Sequence, residues 1–104
     1  MEWRKFSGEK INLPILDEIR LKMIEEQEVN LKVCVGTDSQ VKGNVTEFAT
    51  AIVFIREGKG GFIYHRSYQT NRKMSLKERM ITEVADSVNV AYEICPVLDE
   101  YNIE

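Results

Sequence analysis

The chain has one histidine, His65, and only two cysteines, Cys34 and Cys95. So small a set cannot build a Cys/His zinc cluster, and two cysteines that each sit in an apolar pattern argue against a disulfide framework. Such usage fits a reducing, cytoplasmic setting. Long hydrophobic runs are missing too: no stretch approaches the roughly 20 apolar residues of a membrane span. The opening Met1-Glu-Trp-Arg-Lys-Phe-Ser-Gly8 is too polar for a signal peptide. There is no surplus of positive charge. The net charge is −3, so no global field draws in nucleic acid, and such a partner needs a local basic patch or metal ions to offset the carboxylates. Repeats and low-complexity segments are absent. With 104 residues, 43% hydrophobic and 30% charged, the composition fits one soluble globular domain, residues 1–104, with a single core.

What is present centres on Leu31-Lys-Val-Cys-Val-Gly-Thr-Asp-Ser-Gln40. Leu31, Val33 and Val35 alternate with Lys32, Cys34 and Gly36, the pattern of a half-buried strand. Gly36 reads as a point of close backbone approach, and the strand is expected to end near Asp38, beside the hydroxyls of Thr37 and Ser39. A carboxylate at a strand end is either a metal-binding or catalytic group or a turn aspartate closing its own Asx-turn.

Upstream, Trp3 and Phe6 suggest an N-terminal arm folded back on the domain. Asn12 reads as a helix cap, and Ile15, Leu16, Ile19, Met23 and Ile24 give an amphipathic helix over about Leu13 to Gln27. Downstream, Val41-Lys-Gly-Asn44 is a turn, and Val45 to Arg56 is a strand whose middle is apolar on both faces, as in a strand covered on both sides. Glu57-Gly-Lys-Gly-Gly61 is a hairpin turn, since no Lys-Ser/Thr and no helix follow it to make a phosphate loop. Phe62 to Gln69 is a third strand. After the polar link Thr70-Asn-Arg-Lys-Met74 a long helix begins, capped by Ser75 with Glu78 three residues on. Its apolar stripe is read as Leu76, Met80, Ile81, Val84, Ala85, Val88, Ala91, Tyr92 and Cys95, and Pro96 kinks it, ends it or starts a short following helix. The architecture is thus an α/β (α+β) arrangement: an N-terminal amphipathic helix, a three-stranded antiparallel meander and a long helix packed on it.

On the wheel of that helix Glu83 borders the apolar stripe, close enough to reach a neighbouring strand end. Glu78 lies near the opposite border, while Asp86 and Glu93 are expected to point to water.

The runs Gly36-Thr-Asp-Ser-Gln40, Phe48-Ala-Thr-Ala-Ile-Val-Phe54 and Tyr64-His-Arg66, in this order, resemble the YkuK family of ribonuclease H-like domains. The likeness covers about residues 31–94. It implies a nuclease that holds two divalent metals, Mg²⁺ or Mn²⁺, between acidic residues. One metal generates the nucleophile and the other stabilises the leaving oxygen. Asp38 matches the first-strand aspartate and Glu83 the helix glutamate, both catalytic and metal-binding, with Glu78 the alternative to Glu83. Asn71, Arg72 and Lys73 match the segment that touches the backbone of RNA or DNA. Tyr64, Arg66, Tyr68, Lys77 and Arg79 extend that surface. The sequence departs from the pattern at its end: the third acid belongs on a fourth strand, and neither Asp99 nor Glu104 lies in a strand motif. The resemblance therefore implies the N-terminal part of such a domain, with the C-terminal part of the fold missing. That part is either absent or supplied by a partner, including a homo-oligomer formed through an unpaired sheet edge. Two functions stay open. One is a metal-dependent nuclease; the other is a catalytically inactive domain retained for nucleic-acid binding or oligomerisation. His65, on a strand, reads as structural rather than as a general base.

Overall fold

The computed structural model describes residues 2–26 and 30–101. Alternating apolar residues and short turns build β2 (Leu31–Lys42), β3 (Val45–Arg56) and β4 (Gly60–Thr70) into the expected antiparallel meander. β2 and β3 meet at Gly43-Asn44, where Gly43 has φ +61°, a conformation open to glycine without steric cost. Gly61 serves the other need: a Cβ there would stand 2.3 Å from the Phe54 carbonyl oxygen. Gly36, expected to permit a close approach, permits none, because a Cβ added there meets nothing within 4 Å.

Three further expectations are corrected. β2 does not end near Asp38; its ladder continues through Asp38↔Ala49 to Lys42↔Val45, since no proline or bulge interrupts the alternation. The arm is itself a strand, β1 (Arg4–Lys5), which pairs with β4 and gives a four-stranded sheet of order β1-β4-β3-β2. Trp3 is buried under the Arg66 guanidinium, 4.6 Å from ring centroid to cation, whereas Phe6 stays exposed. Finally, α1 (Ile15–Glu25) is preceded by Pro14 at the N-cap with no side-chain cap bond, not by Asn12. Gln27, the expected helix end, lies outside the described residues.

α1 and the C-terminal half of α2 (Leu76–Glu100) lie on one face of the sheet. Ile15, Ile19 and Met23 meet Ile52, Phe54 and Tyr64 from the sheet and Val90, Ile94, Val97 and Leu98 from α2. Burying side chains of this size supplies about 1.5–3 kcal/mol each, so this is where the fold is held. The opposite sheet face has no covering element among the described residues: Ala49 and Ile55 of β3 are exposed on it. The doubly apolar middle of β3 thus reflects small and β-branched residues, not cover on both sides. No helix among the described residues is long and apolar enough to cross a membrane.

α2 runs unbroken through Pro96. Its expected apolar stripe is not its buried one. Leu76 is 67% exposed and Tyr92 76%, and Met80, Ile81, Val84 and Val88 are exposed with them. The N-terminal half of α2 turns its hydroxyls and carboxylates to the sheet instead, because β2 and β4 offer matching polar groups there.

Candidate functional site

Those polar groups form a seam between β2 and α2. Ser39, 5% exposed, donates its hydroxyl to the Glu83 carboxylate in a short hydrogen bond. Arg79, one helical turn before Glu83, donates from Nε to Ser39 Oγ at 2.9 Å and from Nη2 to the Ser39 carbonyl, also at 2.9 Å. A second set stands below it: Thr37 and Thr50 share a bond of 2.9 Å, and Ser87 donates to Thr37 at 2.8 Å. On the other flank Tyr68 stacks on Phe48 and donates to Asp86 at 2.6 Å. Burial, reinforced by the Asp86 bond and charge, raises the Tyr68 phenol well above its ordinary value. Asp86 therefore does not point to water as expected. Glu93 lies within 4.0 Å of Arg66.

The structure does not bring Asp38 and Glu83 together. Successive residues of a strand project to opposite faces, and Ser39 is the one that meets α2. Asp38 is exposed on the bare face, where its Oδ1 accepts from the Ser39 N–H at 2.9 Å. It shares a shallow groove there with Gln40 and Glu47, and Glu47 accepts from Gln69 at 3.1 Å. As a donor set for the implied Mg²⁺ or Mn²⁺ pair, Asp38 and Glu83 do not fit, since a two-metal site needs its carboxylates converging on ions about 3.5–4 Å apart. Among the described residues no group of three or more His, Cys, Asp or Glu side chains is placed to hold a metal.

Glu78, the alternative helix acid, completes the capping box with Ser75 and pairs with Arg72 at 2.7 Å. The Arg72 hydrogen bond, then the Ser75 backbone, hold its carboxyl below the usual range. Asn71, Arg72 and Lys73 are all exposed on a link anchored from beneath by Thr46, whose hydroxyl donates to the Arg72 carbonyl at 2.9 Å and accepts from the Met74 N–H at 3.0 Å. Lys77 is exposed beside them. Tyr64, Arg66, Tyr68 and Arg79, expected to extend that surface, do not: Tyr64 donates to Glu18 at 3.1 Å, the three β4 residues lie on the helix-covered face of the sheet, and Arg79 turns from α2 to Ser39. His65 is structural in placement, with Nε2 3.0 Å from the Lys5 carbonyl oxygen.

Sequence reasoning placed Ser39 only beside Asp38 and Arg79 on the nucleic-acid surface, and missed that both meet at the site of Glu83. The signal was available in the alternation of Leu31, Val33 and Val35, which carries on to Thr37 and Ser39 and sends Asp38 the other way. Arg79 follows from Glu83 by the i, i+4 spacing of one helix face.

A family model described as ribonuclease H-like matches residues 14–104. No curated protein and no solved structure gives a significant match.

Proposed function

The chain belongs to the ribonuclease H-like family, the YkuK family, and from that premise we propose that it acts by binding nucleic acid rather than by cleaving it. The observation that carries this reading is the separation of Asp38 and Glu83 onto opposite faces of the sheet, with Glu83 engaged by Ser39. Carboxylates arranged so cannot share one pair of ions. The contact surface is the exposed link Asn71-Arg72-Lys73 with Lys77 beside it at the start of α2. Its amide and cations suit phosphate oxygens, which position a strand without reading its sequence. The acidic net charge of −3 keeps the attraction local and the affinity modest.

Family membership favours the competing reading, a Mg²⁺- or Mn²⁺-dependent nuclease, and one experiment separates them. RNA, DNA and hybrid oligonucleotides are incubated with each metal while binding is followed by fluorescence anisotropy across a salt series. The expected outcome is binding without turnover. About three phosphate contacts give a log–log salt slope of about −2 on single strands, and the Arg72→Ala/Lys73→Ala variant flattens it. Metal-dependent cleavage that Asp38→Asn abolishes overturns the proposal.

A further inference from the structure

β2 is the last strand of the sheet, and its outer edge is unpaired among the described residues. The two-residue turn makes Lys42↔Val45 a hydrogen-bonded pair. Alternation then turns the backbone N–H and C=O of the odd residues, Leu31 to Val41, away from β3. Ser39 bears this out: both of its outward groups are already occupied, the N–H by Asp38 Oδ1 and the C=O by Arg79. No such partner occupies those of Val33, Val35 and Thr37 among the side-chain hydrogen bonds of the described residues.

Above this edge, α2 is tied down to β2 through Ser39 and Thr37, and its further polar ties lie on one flank. Tyr68–Asp86, Arg66–Glu93 and Arg20–Glu100 all draw it towards β4 and α1. Its other flank, with Val88, Ala91 and Cys95, overhangs a groove floored by Val33 and Val35. Free strand edge and bare apolar helix flank therefore lie side by side. Soluble proteins normally blunt such edges or cover them.

We propose that a second copy of this chain covers both, in an isologous dimer whose β2 strands pair antiparallel about a dyad at Val35. Two features of β2 select this occupant and this register. First, the charges are complementary under that dyad: Lys32 falls opposite the partner's Asp38, and Asp38 opposite the partner's Lys32. Both are exposed on the bare face, in the closer, non-hydrogen-bonded kind of pair. Second, the free backbone groups coincide. Val35 meets the partner's Val35, Val33 meets the partner's Thr37, and the occupied groups of Ser39 end the pairing. A dyad perpendicular to the sheet keeps both α2 helices on one face, so that their apolar flanks are turned towards each other above the joined strands. The result is one continuous sheet with a two-helix seam. This goes beyond the nucleic-acid reading and does not depend on it.

Sedimentation of the full chain over about 5–200 µM tests the dimer. Lys32→Asp or Asp38→Lys alone sets like charges opposite each other twice and is expected to weaken association about tenfold or more. The double swap Lys32→Asp/Asp38→Lys restores the pairing and the dimer. Circular dichroism checks that each variant folds. Hydrogen exchange supplies a second readout: the Val33, Val35 and Thr37 amides gain protection as concentration rises, while those facing β3 do not change. A chain that stays monomeric throughout overturns the proposal, as does a dimer indifferent to single and double swaps.

Discussion

Thr46 shows how much one side chain can organise. It is fully buried, and its hydroxyl joins the end of β4 to the start of α2 by accepting from Met74 N–H and donating to the Arg72 carbonyl. Valine has the same shape without the hydroxyl. Thr46→Val leaves the Met74 N–H and the Arg72 carbonyl without this partner, and such loss costs about 1–3 kcal/mol. Urea denaturation is expected to show a loss of that size, with the m-value unchanged. The same change frees the exposed link above it, so under the proposed function nucleic-acid affinity is expected to fall as well. Nothing local marks Thr46 for this role. It reads as an ordinary β-branched strand residue, and only the return of the chain at residues 70–74 gives its hydroxyl two partners.

Of the elements, α2 departs furthest from its sequence reading. Its start was legible. Ser75 accepts from the Glu78 N–H at 3.2 Å and Glu78 reaches back to the Ser75 N–H at 3.3 Å, the reciprocal pattern that Ser-x-x-Glu predicts. Ser75→Ala is expected to lower stability by about 1 kcal/mol, read as a fall in the thermal midpoint. The face it buries was not legible. Two stripes wind along the helix: a wide apolar one and a narrower one mixing Arg79, Glu83, Asp86 and Ser87 with Val90, Ile94 and Val97. Hydrophobicity alone selects the first. The sheet selects the second, because Ser39, Thr37 and Tyr68 supply partners that keep its polar groups satisfied when covered. Pro96 does not end the helix, which runs through it to Glu100.

Across the whole molecule, two tyrosines on β4 tie both helices to the sheet. Tyr64 donates to Glu18 of α1 and Tyr68 to Asp86 of α2. Burial comes first in raising each phenol above its ordinary value, followed by Glu18 for Tyr64 and Asp86 for Tyr68. The sign of the pH effect follows. The unfolded chain releases these protons near pH 10, while the folded one keeps them. Stability is therefore fully present below about pH 10 and lost as pH rises above it. Denaturation midpoints measured from pH 8 to 11.5 are expected to decline in the upper part of that range. Tyr68→Phe should make the decline shallower, and an unchanged profile would remove Tyr68 from the account.

By itself the sequence determined the order of the elements from α1 to α2, the β2–β3–β4 meander, the capping box and the family. All of these rest on local signals: alternation with period two, turn glycines, a cap spaced three residues from its partner, and short runs in order. Which carboxylates meet was decided only by tertiary structure. Asp38 and Glu83 are a plausible pair as residue types and spacings, yet one parity step along β2 puts Ser39, not Asp38, against α2. That β2 runs on past Asp38 to Lys42 is fixed by its pairing with β3, from Asp38↔Ala49 to Lys42↔Val45. The same pairing leaves β2 at the edge of the sheet, with its outward groups and the apolar flank of α2 on one side of the molecule.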